Sequence, residues 1–148
     1  MDEQTFWDLI AKLDWDEVGD DDAVCEPVIR ALAALPEDEI FAFEDHLAEK
    51  LYALDTRAHA AAMGEFGWKS DDEPFSLDGF VYARCCVVAN GPEAYAEVLA
   101  DPQAMPKDME FEALLNVAAD AYELKTDDEW DYSAPVDYET FGNKAGWA

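Results

Sequence analysis

Chemistry in a small protein starts with its nucleophiles, imidazoles and paired acids, and this chain offers few of the first two. Two histidines are present, His46 and His59. Both fall on one predicted helix, and their separation of 13 residues turns them about 220° apart at roughly 100° per residue, so they cannot share one ion. There is no His-Glu-x-x-His, and Cys25, Cys85 and Cys86 lack the Cys-x-x-Cys spacing of structural zinc sites. Helical ion pairs, His59 with Asp55 and His46 with Glu49, are the expected use of the two rings. Ser70, Ser76 and Ser133 are the only serines, none in Gly-x-Ser-x-Gly, and no phosphate-cradling Gly-x-x-x-x-Gly-Lys occurs. Asp14 to Asp20 opens like a calcium loop, with acids at loop positions 1 and 3 and Gly19 at position 6. Val18 and Cys25 then stand where an oxygen ligand and a bidentate Glu are needed. With 36 carboxylates, some pair will always lie at a glycosidase spacing, so no acid and base can be singled out. No residue set fills named catalytic roles, and no cofactor or metal is expected.

The elements that carry these residues follow from apolar spacing. Phe6, Leu9, Ile10 and Leu13 form one stripe of a helix from about Glu3 to Leu13, capped by Asp2. Asp14 to Asp22 holds six carboxylates and Gly19 and is expected as a solvated loop. A second helix is predicted over 25–35 with Pro27 in its first turn, where a missing N–H costs little. A third runs from Pro36 to about Met63 on the seam Ile40, Phe43, Leu47, Leu51, Leu54, Ala58 and Ala61. After a loop over 65–78, a fourth helix covers about 77–89. It is nearly all apolar from Phe80, with Arg84 its only charge in that stretch, and its Val-rich end leaves a short strand open. A fifth follows Asn90-Gly91-Pro92 and ends at Asp101-Pro102, and a sixth spans about 110–125. The fold class is therefore all-α, about six helices over residues 1–126. Residues 127–148 are expected as an irregular aromatic-rich tail lying on the domain or on a partner, because Trp130, Tyr132, Tyr138, Phe141 and Trp147 are poor material for a free end.

Length and charge bound the function. A chain of 148 residues with 51% hydrophobic residues is long enough to bury a sizeable core. A formal net charge of −27 repels nucleic acid phosphates and anionic membranes and favours basic partners. Met1 to Gln4 is acidic, no apolar signal region follows, and three cysteines, two of them adjacent in an apolar stretch, read as reduced and buried. A cytoplasmic protein is expected.

Several blocks in order resemble a known bacterial family: Phe6-Trp7-Asp8-Leu9-Ile10, Leu35-Pro36-Glu37-Asp38-Glu39-Ile40, Ser70-Asp71-Asp72, Asp78-Gly79-Phe80 and Val98-Leu99-Ala100-Asp101-Pro102. The sequence resembles, from Met1 to about Thr126, a domain of unknown function common in actinobacteria and sometimes found beside WGR domains. The resemblance implies a mostly helical single domain and carries no established activity. This chain departs from the family pattern where Glu73 to Leu77 intervene before Gly79-Phe80 and where Cys85-Cys86 stand in place of a tryptophan stretch, and its tail lies outside the pattern.

The functional expectation is a non-enzymatic acidic module that binds a basic protein, as an immunity protein or inhibitor neutralises a basic toxin or nucleic-acid-acting protein. The expected contact residues are Trp15, Asp16, Glu17, Asp20, Asp21 and Asp22; Trp68 with Asp71, Asp72 and Glu73; and Asp127, Asp128, Glu129 and Trp130. Charges steer and aromatics anchor. A DNA mimic, a salt-adapted protein whose acidity serves solubility alone, and an uncharacterised enzyme or metal-binding domain are the competing readings.

Overall fold

The computed structural model describes residues 1–148. The chain is all-α: eight α-helices and three short 3-10 turns, with no strand. They are α1 (Glu3–Ile10), α2 (Asp21–Ala33), α3 (Glu37–Ala53), α4 (Arg57–Ala61), α5 (Leu77–Ala89), α6 (Pro92–Ala100), α7 (Val117–Thr126) and α8 (Lys144–Trp147). None is long and apolar enough to cross a membrane.

Packing groups the chain into two units, Met1–Leu47 with Ala113–Pro135, and Ala48–Glu112 with Val136–Ala148. In the first, α2 packs on α7 and on α1, and Phe6, Ile10, Val24, Val28, Leu32, Ile40, Phe43, Leu114 and Val117 are buried. Asp2 opens α1 by accepting the Thr5 N–H at 2.8 Å, which holds its carboxyl below the ordinary range, and Asp20 does the same for Ala23 at 3.2 Å. Because Asp20 is the cap, α2 starts at Asp21, four residues before the predicted start. Pro27 therefore sits inside the helix and not in its first turn. It has no N–H for the Ala23 carbonyl.

The second unit is built around α5, whose residues from Gly79 to Ala89 are buried apart from Tyr82. A helix apolar on all sides belongs in the middle of its unit, and the valines at its end are helical throughout. Ser76 caps it at Gly79, and α6 packs against it. Leu54, Ala60, Met63, Phe80, Ala83, Val87, Val98 and Met105 form the core.

Two more predicted helices are corrected. The helix expected to run unbroken to Met63 ends at Ala53 and restarts as α4. Thr56 accepts the His59 N–H at 3.0 Å and so begins a new helix, while Leu54 stays in the core and keeps the apolar spacing intact across the break. The helix expected over 110–125 opens as a 3-10 turn, Glu112–Asn116, and becomes α-helical only at Val117.

Candidate functional site

The first predicted contact patch forms one exposed corner. Trp15–Glu17 is a 3-10 turn, held by Asp14 accepting the Asp16 N–H at 3.1 Å, and α2 follows. Asp14 and Asp20 thus each accept a backbone N–H, one holding the 3-10 turn and the other capping α2. Asp16, Glu17, Asp20, Asp21 and Asp22 are all exposed, and between them Trp15 is 43% and Val18 73% exposed. Cys25 lies beneath them: burial first, then Asp21, Asp22 and Asp120, push its thiol up to about 12. Burial and then the Asp22 charge also raise the Asp120 carboxyl. α2 and α7 therefore hold like charges close together. Beside the corner lies an open cleft of about 550 Å³ lined by Asp14, Glu17, Ala23, Glu26, Pro27 and Arg30. Arg30 pairs with Glu26 along the helix.

The other predicted patches differ from this one. Asp127, Asp128 and Glu129 are exposed at the end of α7, with Asp127 in the left-handed cap position (φ 59°) and the Asp128 N–H donated to Thr126 at 3.0 Å. Trp130, however, faces inward, 5.8 Å from Phe41, 5.5 Å from Tyr122 and 5.7 Å from Tyr132. Asp71, Asp72 and Glu73 are exposed in the second unit. Trp68 is half-buried there against Trp147, with Arg57 over its ring at 5.1 Å. Of the predicted anchors, Trp15 is the one presented to solvent; Trp68 and Trp130 hold their own units together.

Neither histidine makes its predicted ion pair. His59 is buried, hydrogen-bonded to Thr56 at 2.6 Å and to the Val98 carbonyl at 2.8 Å. His46 stacks on Phe6, donates from Nε2 to the Met1 carbonyl at 2.8 Å, and turns Nδ1 toward Glu3 at 3.6 Å, an ion-pair distance too long for a hydrogen bond. The three cysteines are buried and unpaired with one another.

Two buried polar sites escaped the sequence. In the first unit, Glu44 is 8% exposed, and burial, with Asp45 next to it, pushes its carboxyl up to about 7. Asp45 itself accepts the Tyr132 hydroxyl at 2.6 Å, which pushes that phenol up to about 12. In the second unit, Arg84 and Asp55 are both fully buried. The Arg84 guanidinium lies 4.5 Å over the Phe80 ring and donates to the carbonyls of Phe80 (3.3 Å), Leu51 (2.8 Å) and Tyr138 (2.9 Å) and to the Thr140 hydroxyl (3.3 Å). Burial pulls its pKa down, and the Asp55 charge is the first influence opposing that. Asp55 accepts the Phe141 N–H at 3.3 Å, the Asn143 N–H at 3.0 Å and the Trp147 indole N–H at 2.7 Å. The signal in the sequence was a single guanidinium in an apolar helix, which must find carbonyls or a carboxylate wherever it is buried.

Comparison with curated proteins and with solved structures finds no match. Residues 1–124 match the family described as "Protein of unknown function (DUF4240)". Since that match spans most of the 148 residues, the chain belongs to this family of proteins of unknown function.

Proposed function

We propose that this chain is a non-catalytic acidic module whose corner at Trp15–Asp22 binds a basic protein surface, in the manner of an immunity protein or inhibitor of a basic toxin or nucleic-acid-acting protein, within the cytoplasm. The observation that carries the reading is the corner itself. Five exposed carboxylates surround an exposed indole and an exposed valine. This pairs a steering field with an apolar anchor, the combination by which charged interfaces gain both rate and residence time. The like charges of Asp22 and Asp120 support it, because a cationic side chain arriving there relieves a repulsion the folded chain already bears. The bulk composition points the same way: 36 acids face 9 Lys and Arg, so most carboxylates have no cation of their own.

The test is binding of a basic protein, crosslinked to the native chain in the cells that make it and then purified, to three variants. One neutralises Asp16, Glu17, Asp21 and Asp22; one neutralises Asp71, Asp72 and Glu73; one is Trp15→Ala. Loss of at least tenfold in the first and third, with the second near wild type, supports the proposed corner. Equal binding by all three defeats it. Affinity that collapses between 50 mM and 500 mM salt and is competed by duplex DNA would favour phosphate mimicry instead. Recovery of no basic protein, together with strong stabilisation by molar salt, would leave acidity as a solubility device.

A further inference from the structure

The segment after Pro135 is held as a peptide-binding protein holds its ligand. Reading from Tyr138, Arg84 takes the Tyr138 carbonyl and the Thr140 hydroxyl, Asp55 takes the N–H groups of Phe141 and Asn143, and Arg57 takes the Trp147 carbonyl at 2.7 Å. The recognised groups are mostly main-chain. The principal side chain read is Trp147, whose indole N–H goes to Asp55 and whose ring meets Trp68 at 5.9 Å, Phe80 at 6.2 Å and Phe75 at 6.3 Å. Gly146 is required by fit: a Cβ there would stand 2.5 Å from the Asp55 carbonyl oxygen.

Three further observations separate holder from held. Arg57, Asp55 and Arg84 all lie within the family match, which ends at residue 124, whereas every group they grip in this segment lies beyond it. Asp137, Glu139, Lys144 and Ala145 point to solvent, so the segment commits few side chains to the core. Phe141 keeps φ at 77°, a left-handed backbone that an unbound peptide would rarely hold.

We propose that Ala48–Glu112 contains an acceptor site for a short peptide with a tight turn followed by Gly-Trp, and that Val136–Ala148 is its ligand held in cis, replaceable by the same segment of a second copy. This site is independent of the acidic corner, so either proposal can fail alone.

The experiment uses the whole chain with a protease site inserted between Pro135 and Val136, folded intact and then nicked. The probe is a fluorescently labelled synthetic peptide of residues 136–148. The expected result is that the nicked protein keeps its helical circular dichroism, exchanges its segment for the labelled peptide saturably, and binds peptides carrying Trp147→Ala or Gly146→Ala at least tenfold more weakly. A tenfold loss is about 1.4 kcal/mol, the lower end for a hydrogen bond to a charged group. Three outcomes would overturn the proposal: loss of helix together with the segment, no exchange within a day of excess peptide, or equal binding of the variant peptides. The first two would make the segment an integral part of the fold.

Discussion

The Asp55 carboxylate accepts the Trp147 indole N–H at 2.7 Å across 92 residues of sequence. The same two oxygens take two backbone N–H groups of the intervening turn. A fully buried carboxylate is satisfied here by three donors. Asp55→Ala should lower the free energy of unfolding by roughly 3 kcal/mol, since it orphans three donors and strips Arg84 of its counter-charge. Asp55→Asn should cost about half as much, because one oxygen still accepts. Urea denaturation followed by tryptophan emission would resolve the two; equal midpoints would refute the account.

Arg84→Met tests the other half of the pair. Leucine-like bulk on Phe80 is retained, but the Leu51 and Tyr138 carbonyls and the Thr140 hydroxyl lose their donor. A cost of about 3 kcal/mol is expected, and Arg84→Lys should recover only part of it, because an ammonium cannot span the same fork of acceptors. Hydrogen exchange at Phe141 and Asn143 should rise in both variants before exchange rises at α5.

Glu44 makes the stability of the protein depend on pH. Its carboxyl ionises at an ordinary 4.5 when unfolded and at about 7 when folded. Between those values the folded chain holds a proton the unfolded chain has lost, so this contribution is complete below about pH 4.5 and is lost as pH rises toward 7. Glu44→Gln should leave stability near pH 4 within a few tenths of a kcal/mol and raise it at pH 8 by up to roughly 3 kcal/mol. Parallel pH profiles for the two proteins would rule this out.

Tyr132→Phe removes the hydroxyl that meets Asp45 at 2.6 Å but keeps the ring stacked 4.7 Å from Phe41. A loss of about 1.5 kcal/mol is expected, at the lower end for a hydrogen bond to a charged acceptor. Spectroscopic titration should also show one phenol of the wild type ionising near 12, and that transition should vanish in the variant.

Asp22→Asn should stabilise the protein by a few tenths of a kcal/mol at low salt, because it removes a like charge facing Asp120, and by nothing measurable at 1 M salt. Thermal melts at the two salt concentrations decide it.

The sequence was most legible where a local rule was sufficient. Asp2 before Phe6-x-x-Leu9-Ile10 gave α1, Asn90-Gly91-Pro92 gave the start of α6, and unbroken apolarity placed α5 at the centre of its unit. Periodicity failed at Leu54–Thr56, since a core leucine on the expected stripe hides a cap that starts a new helix one residue later. It failed again at Pro27, because Asp20 proved a stronger start signal than the proline. The exposed acids of the Trp15 corner could be read from composition, but which tryptophans face water could not. Trp68 and Trp130 turn inward because their partners, Trp147 and Phe41, lie far away in the chain. Arg84 and Asp55 could not be joined for the same reason, their shared segment lying 54 and 92 residues beyond them.

The second unit closes on residues that are made after the rest of it. While the chain is being made, Arg84 and Asp55 lack the partners that the thirteen residues Val136–Ala148 will supply. Vectorial synthesis thus makes closure of this unit a late event, and a nascent chain stalled at Pro135 would display the aromatic wall of Trp68, Phe75 and Phe80 to whatever chaperone meets it.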